Sequence, residues 1–111
     1  MTANEIIFPA RDNTIRLLLK KDDVAEDLTN LTRAILKLDG VAIDFDVSPA
    51  AFDWTTEGAD GILIFKPQTL SLSAGQKKAS LIVYDATNIN GIVWGTRENY
   101  EFDVFIPDTT I

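Results

Sequence analysis

The sequence predicts an all-β domain, an antiparallel sandwich of about seven or eight strands. Three observations carry this. Apolar and polar residues alternate over short runs, turn signals interrupt those runs about every 8–12 residues, and no stretch keeps a helical period over the length of an ordinary helix. The connections are also too short for crossover helices, which leaves antiparallel pairing.

"NTIRLLLKKDD" opens the pattern, with Ile15, Leu17 and Leu19 on one face and Arg16, Leu18 and Lys20 on the other. "DDVAEDLTNL" reads as a loop, or a single helical turn, whose acids and Asn30 face water and whose Leu28 and Leu31 plug into the core. In "TRAILKL", Ala34, Leu36 and Leu38 alternate with Arg33, Ile35 and Lys37, and Asp39-Gly40 is a hairpin dipeptide. "VAIDFDV" sets Val41, Ile43, Phe45 and Val47 against Ala42, Asp44 and Asp46. Pro49, Gly58 and Gly61 make "SPAAFDWTTEGADG" irregular, and "ILIFKP" then fits a buried strand. "LSLSAGQKK" turns at Ala74-Gly75. "ASLIVYDA" is apolar on both faces, with Ile82 and Tyr84 opposing Leu81 and Val83, as a central strand requires. "GIVWG" and "NYEFDVFIP" close the domain, and Pro107 stops the last strand. The whole chain, residues 1–111, reads as one domain with its core over about 13–106 and a short tail at each end.

Composition removes several function classes. There is no cysteine and no histidine, so disulfides, thiolate chemistry, Ser-His-Asp and Cys-His pairs and an ordinary zinc site are excluded. Ten Lys and Arg stand against seventeen Asp and Glu, a net charge of −7. That sign opposes binding to a phosphate backbone, which needs a cationic face. "MTANEIIFPARDN" has neither the basic start nor the apolar run of a signal peptide, and no stretch approaches the roughly 20 apolar residues of a membrane span. The expectation is therefore no nucleic acid, no membrane, no metal and no cofactor, with synthesis in the cytosol.

Four residue groups invite a functional reading. Asp22, Asp23, Glu26 and Asp27 form the densest acidic cluster, but their spacing matches no calcium loop and a solvated loop explains them. Asp44 and Asp46 share a strand face; catalytic carboxylates must flank a cleft roughly 5–9.5 Å apart with one pKa raised, so these read as the wet side of a strand. "YDATNINGIVWG" carries Asp85, Asn88, Asn90 and Gly91. Aligned as a calcium loop with Gly91 at the sixth position, it places Ala86 first and Arg97 twelfth, and both fail. Asn90-Gly91 is instead a hairpin turn. Ile89, in the middle of that loop, has no local apolar neighbour to cover it, and Phe105 lies on the acidic side of its strand. Together with Trp94 and Trp54 they are the candidate contact residues.

Two stretches carry a family resemblance. "NTIRLLLKKDDVAEDLTNLTRAILKLDG" resembles the opening of immunoglobulin-like domains in tailed-phage virion proteins, including the N-terminal domain of upper-baseplate proteins. "LSLSAGQKKASLIVYDATNINGIVWG" is similar to that family's second half, where a short element closing on glycine leads into a strand ending at Asp and then a hairpin. The resemblance spans roughly residues 13–106 and implies an immunoglobulin-like sandwich with no catalytic residues. The baseplate proteins continue into further domains and this sequence ends after one, which favours a small virion piece such as a capsid decoration or a head–tail or baseplate accessory. The resulting expectation is a non-enzymatic structural protein, located in the virion. It touches other virion proteins and is homo-oligomeric or present in many copies. A carbohydrate-binding module, with a glycan as ligand, is the alternative.

Overall fold

In the computed structural model, which describes residues 4–8, 11–21, 24–38, 40–67, 73–94 and 102–107, the alternating runs become strands. In chain order these are β1 (Asn4–Ile6), β2 (Ile15–Leu18), β3 (Lys20–Lys21), β4 (Val24–Ala25), β5 (Leu31–Leu38), β6 (Val41–Asp44), β7 (Phe52–Asp53), β8 (Ile62–Phe65), β9 (Gly75–Asp85), β10 (Ile92–Trp94) and β11 (Phe102–Ile106). Short 3-10 turns cover Pro49–Ala51 and Gly58–Asp60, and no α-helix occurs among the described residues. The strand count exceeds the expected seven or eight because short pairings form where the sequence pattern is irregular, as at β4 and β7.

The large sheet has six strands in the order β1-β11-β9-β5-β6, with β10 also on β9. All its pairings are antiparallel except β1 on β11. The small sheet, β2-β8-β7, is antiparallel throughout. Between the two sheets lies the core, a sandwich in which the inward positions of each strand meet. From the large sheet come Leu36, Leu38, Leu81, Val83, Val104 and Ile106; the small sheet answers with Ile15, Leu63, Phe65 and Phe52. Leu28 plugs in from the loop before β5, as its place in the sequence suggests.

Local chemistry explains where strands stop. The run from Ile15 breaks at Leu19 because the chain changes partner there: Leu19 N–H donates to the Gly61 carbonyl (2.8 Å), and the Leu19 carbonyl accepts from Glu26 N–H (3.0 Å). Past this point the small β3–β4 hairpin begins. Gly40, at φ +86°, sits in the two-residue loop between β5 and β6. The alternation of "VAIDFDV" does not continue as strand. Asp44 accepts the Asp46 N–H on its carboxylate (3.0 Å) and the Val47 and Ser48 N–H groups on its carbonyl, a turn that outcompetes the ladder. Phe45 consequently packs on Trp54, ring centroids 4.5 Å apart, and Val47 is 81% exposed. Asn13 is the buried polar side chain of the described residues; it is fully used, accepting Phe8 N–H (2.9 Å) and donating to the Phe8 (3.0 Å) and Arg11 (2.8 Å) carbonyls. That loop ties β1 to β2.

Leu81 stands in the middle of β9 opposite Leu36, and both are buried. Leu81→Ala is expected to cost about 2–5 kcal/mol, measured by urea unfolding. A loss below about 1 kcal/mol would contradict the central position of this side chain.

Candidate functional site

The β9–β10 hairpin is built by three local devices. At the end of β9 the Asp85 carboxylate accepts the N–H groups of Thr87 (2.9 Å) and Asn88 (2.6 Å) and the Asn88 side-chain amide (3.0 Å). Asn88 then starts a turn, its carbonyl accepting Gly91 N–H (3.1 Å), with Ile89 and Asn90 at the centre. Gly91 follows at φ +87°. The turn expected from Asn90-Gly91 is present, but Gly91 closes it and does not lie at its centre. Two constraints hold glycine there: the left-handed backbone, and space, since a Cβ would stand 2.6 Å from the Ile82 Cγ2 and 2.9 Å from the Tyr84 Cε2. This geometry places Ile89 at the tip, 75% exposed. Ile92, Val93 and Trp94 then pair with Val83, Ile82 and Leu81.

Trp94 points to the core side, half-buried and packed against the core cluster. Its Nε1–H is buried and has no acceptor among the described residues. Val93 points to the opposite face and is 53% exposed. Beside the hairpin lies a cleft of about 390 Å³. The whole of β10 (Ile92, Val93 and Trp94) borders it, with Val83, Leu28 and Leu31 completing the apolar lining and Glu26, Asp27, Asp85, Asn88 and Lys20 the polar lining. The Thr29 hydroxyl (2.7 Å) and N–H (2.9 Å) donate to Asp27 and hold its pKa below the usual carboxylate value. The backbone N–H of Asn88, with its side-chain amide and Thr87 N–H, does the same for Asp85. Both are anionic at neutral pH. Three carboxylates against one ammonium make the cleft negative.

The candidate contact residues separate. Ile89 and Trp94 come together on the hairpin. Phe105 is exposed on the outer face of the large sheet, beside Ile6 and Gln76 and so at the far end of β9. Trp54 is only 7% exposed and belongs to the core; it is not available as a contact residue, because the turn after Asp44 brings Phe45 over it. Val93 and Ile92 (38% exposed) are further exposed apolar residues of the hairpin, outside the four candidates that the sequence offers; the apolar run beside Gly91 is the signal for them.

No family model, curated protein or solved structure matches this chain. The site therefore stands on its geometry. Of the acidic cluster, Asp22 and Asp23 lie outside the described residues, and among the described residues no group of three or more acids is gathered as a metal site requires. Asp44 and Asp46 are both held by Arg33, whose Nε lies 3.0 Å from Asp44 Oδ1 and 3.2 Å from Asp46 Oδ2. Arg33 lowers the Asp44 pKa, the opposite of what a proton-donating carboxyl needs. No helix among the described residues is long and apolar enough to cross a membrane.

Two predictions follow from these loops. Gly91→Ala is expected to destabilise by about 1–3 kcal/mol, read from the urea midpoint; a neutral result would contradict the close approach to Ile82 and Tyr84. The second concerns acid. The Thr56 hydroxyl, then the Thr56 and Thr55 N–H groups, lower Asp53 to about 2, and Asp27, Asp44 and Asp85 are lowered as well. A depressed folded pKa gives stability that is complete above the unfolded value, near 3.8, and that is lost as pH falls through the folded one. Stability should therefore fall between about pH 4 and pH 2, and Asp53→Asn should flatten that slope in urea titrations across the window.

Proposed function

We propose that this chain is a non-catalytic structural protein of a tailed-phage virion, a capsid decoration or a head–tail or baseplate accessory, that works through protein–protein contacts. The observation that carries the reading is the apolar β9–β10 hairpin. Ile89 at the turn tip and Val93 on β10, 75% and 53% exposed, belong to a hairpin whose returning strand pairs with β9 alone among the described residues. Apolar side chains held outward on a hairpin are costly for an isolated domain and useful for one that is covered on assembly. The resemblance of residues 13–40 and 70–95 to immunoglobulin-like virion domains supports the particle setting, and the net charge of −7 supports protein partners over nucleic acid. Multiple copies on the particle fit a small domain of this kind. The alternative, a sugar-binding module presenting two tryptophans, loses Trp54 to the core.

Mass spectrometry of purified mature particles tests the reading. The protein is expected in them at many copies. The double variant Ile89→Asp, Val93→Lys is expected to melt as the wild type does yet to be depleted from particles about tenfold or more. Absence of the wild-type protein from particles, or equal incorporation of the double variant, would overturn the proposal.

A further inference from the structure

We infer that the open edge of β10 and the cleft beside it receive an extended segment of a partner protein in which apolar and basic residues alternate. The inference rests on the contact-module reading above and names the chemistry of what the module holds.

Topology supplies the first argument. β10 and β11 run in the same direction on one side of β9, pairing with Leu81–Val83 and Gly75–Ala79 respectively. The outward edge of β11 carries β1, through Asn4–Ile6. The outward edge of β10 carries no strand among the described residues. A strand added there lies in line with β1 and uses the edge of β10 that no described strand occupies.

The two faces of that edge differ, and the difference sets the pattern. Side chains of an added strand alternate between the faces that β10 already presents. On the outer face they meet exposed Val93, with half-buried Ile82 as its register partner. Apolar side chains suit this row. On the other face they enter the cleft, where Trp94 and Ile92 are apolar and Glu26, Asp27 and Asp85 are acidic. A lysine or arginine suits this row, its stem on the apolar lining and its charge at the carboxylates. Charge also argues against a second copy as the occupant. The chain carries −7 overall, and β10 itself has no basic residue to offer an acidic cleft.

Peptide binding to the intact chain tests this. The probes are an eight-residue peptide of alternating valine and lysine, a peptide of the same composition with the valines and lysines in two blocks, and one of alternating valine and glutamate. Tryptophan fluorescence reads binding through Trp94, and amide hydrogen exchange locates it. The alternating valine–lysine peptide is expected to bind, to protect the β10 amides and to weaken with salt. Glu26→Lys and Val93→Lys, each checked for an unchanged melting temperature, should each weaken it about tenfold. The other two peptides should not compete. Equal binding of the alternating and block peptides, binding without protection of β10, or sedimentation showing that the wild-type chain pairs with itself through β10 would overturn the inference. Failure of all peptides, with the Ile89 and Val93 double variant still depleted from particles, would refute the alternating basic partner and leave the contact module standing. Peptide binding as expected, with the chain absent from particles, would retain the edge and refute the virion setting.

Discussion

Eleven consecutive residues, Gly75–Asp85, carry their backbone donors and acceptors through the middle of the large sheet. Leaving one such buried group unpaired costs about 1–3 kcal/mol, so the buried stretch of β9 around Ala79, Leu81 and Val83 is matched along both edges. β5 matches one edge from Ala79 to Asp85. The other edge is shared, β11 taking Gly75–Ala79 and β10 taking Leu81–Val83. Much else is placed by this division. It puts Leu81 and Val83 against the small sheet and Ile82 and Tyr84 on the outer face. It also makes β10 a separate short strand with β9 as its one partner among the described residues.

Three loops among the described residues are closed by carboxylates. Asp27, Asp53 and Asp85 each accept the N–H of a threonine two residues on, all at 2.9 Å. In the first two cases the threonine hydroxyl donates as well. The residue between, Leu28 or Trp54, is turned into the core at two of these sites. The device thus fastens a polar corner to an apolar anchor. These corners need their carboxylates ionised, and the acidity of the chain is in part a structural requirement. A surface with fewer acids would have lost turns along with charge.

At the hairpin, a packing constraint produces a surface feature. Gly91 lies close over Ile82 and Tyr84, so the returning strand hugs β9 and the turn before it must project outward. Tyr84 is itself held from the other side, with the Arg33 guanidinium carbon 5.2 Å from its ring centroid. The tip is therefore rigidly based and Ile89 is exposed by construction. A pre-organised apolar tip loses little freedom when a partner covers it. The negative cleft alongside, with Asp27 and Asp85 kept ionised by their own turns, adds a charge preference to that apolar contact.

The all-β class, the central place of "ASLIVYDA", the inward face of β5 and the hairpin at Gly40 can all be read from local sequence. Each follows from a period of two or from turn chemistry, which act over neighbouring residues and so can be read locally. The absence of thiol and imidazole chemistry is legible in the sequence too. The threonine-capped aspartates share an Asp-x-Thr spelling, but Asp12-Asn13-Thr14 has it as well, so the spelling alone does not identify them. The burial of Trp54, the exposure of Ile89, the departure of Val47 from its apparent strand and the meeting of Glu26, Asp85 and Trp94 at one cleft emerge from the folded chain alone. Those outcomes depend on which strands pair and which edges remain open. Residues dozens of positions apart set them together, and no local pattern records which neighbour a side chain will meet.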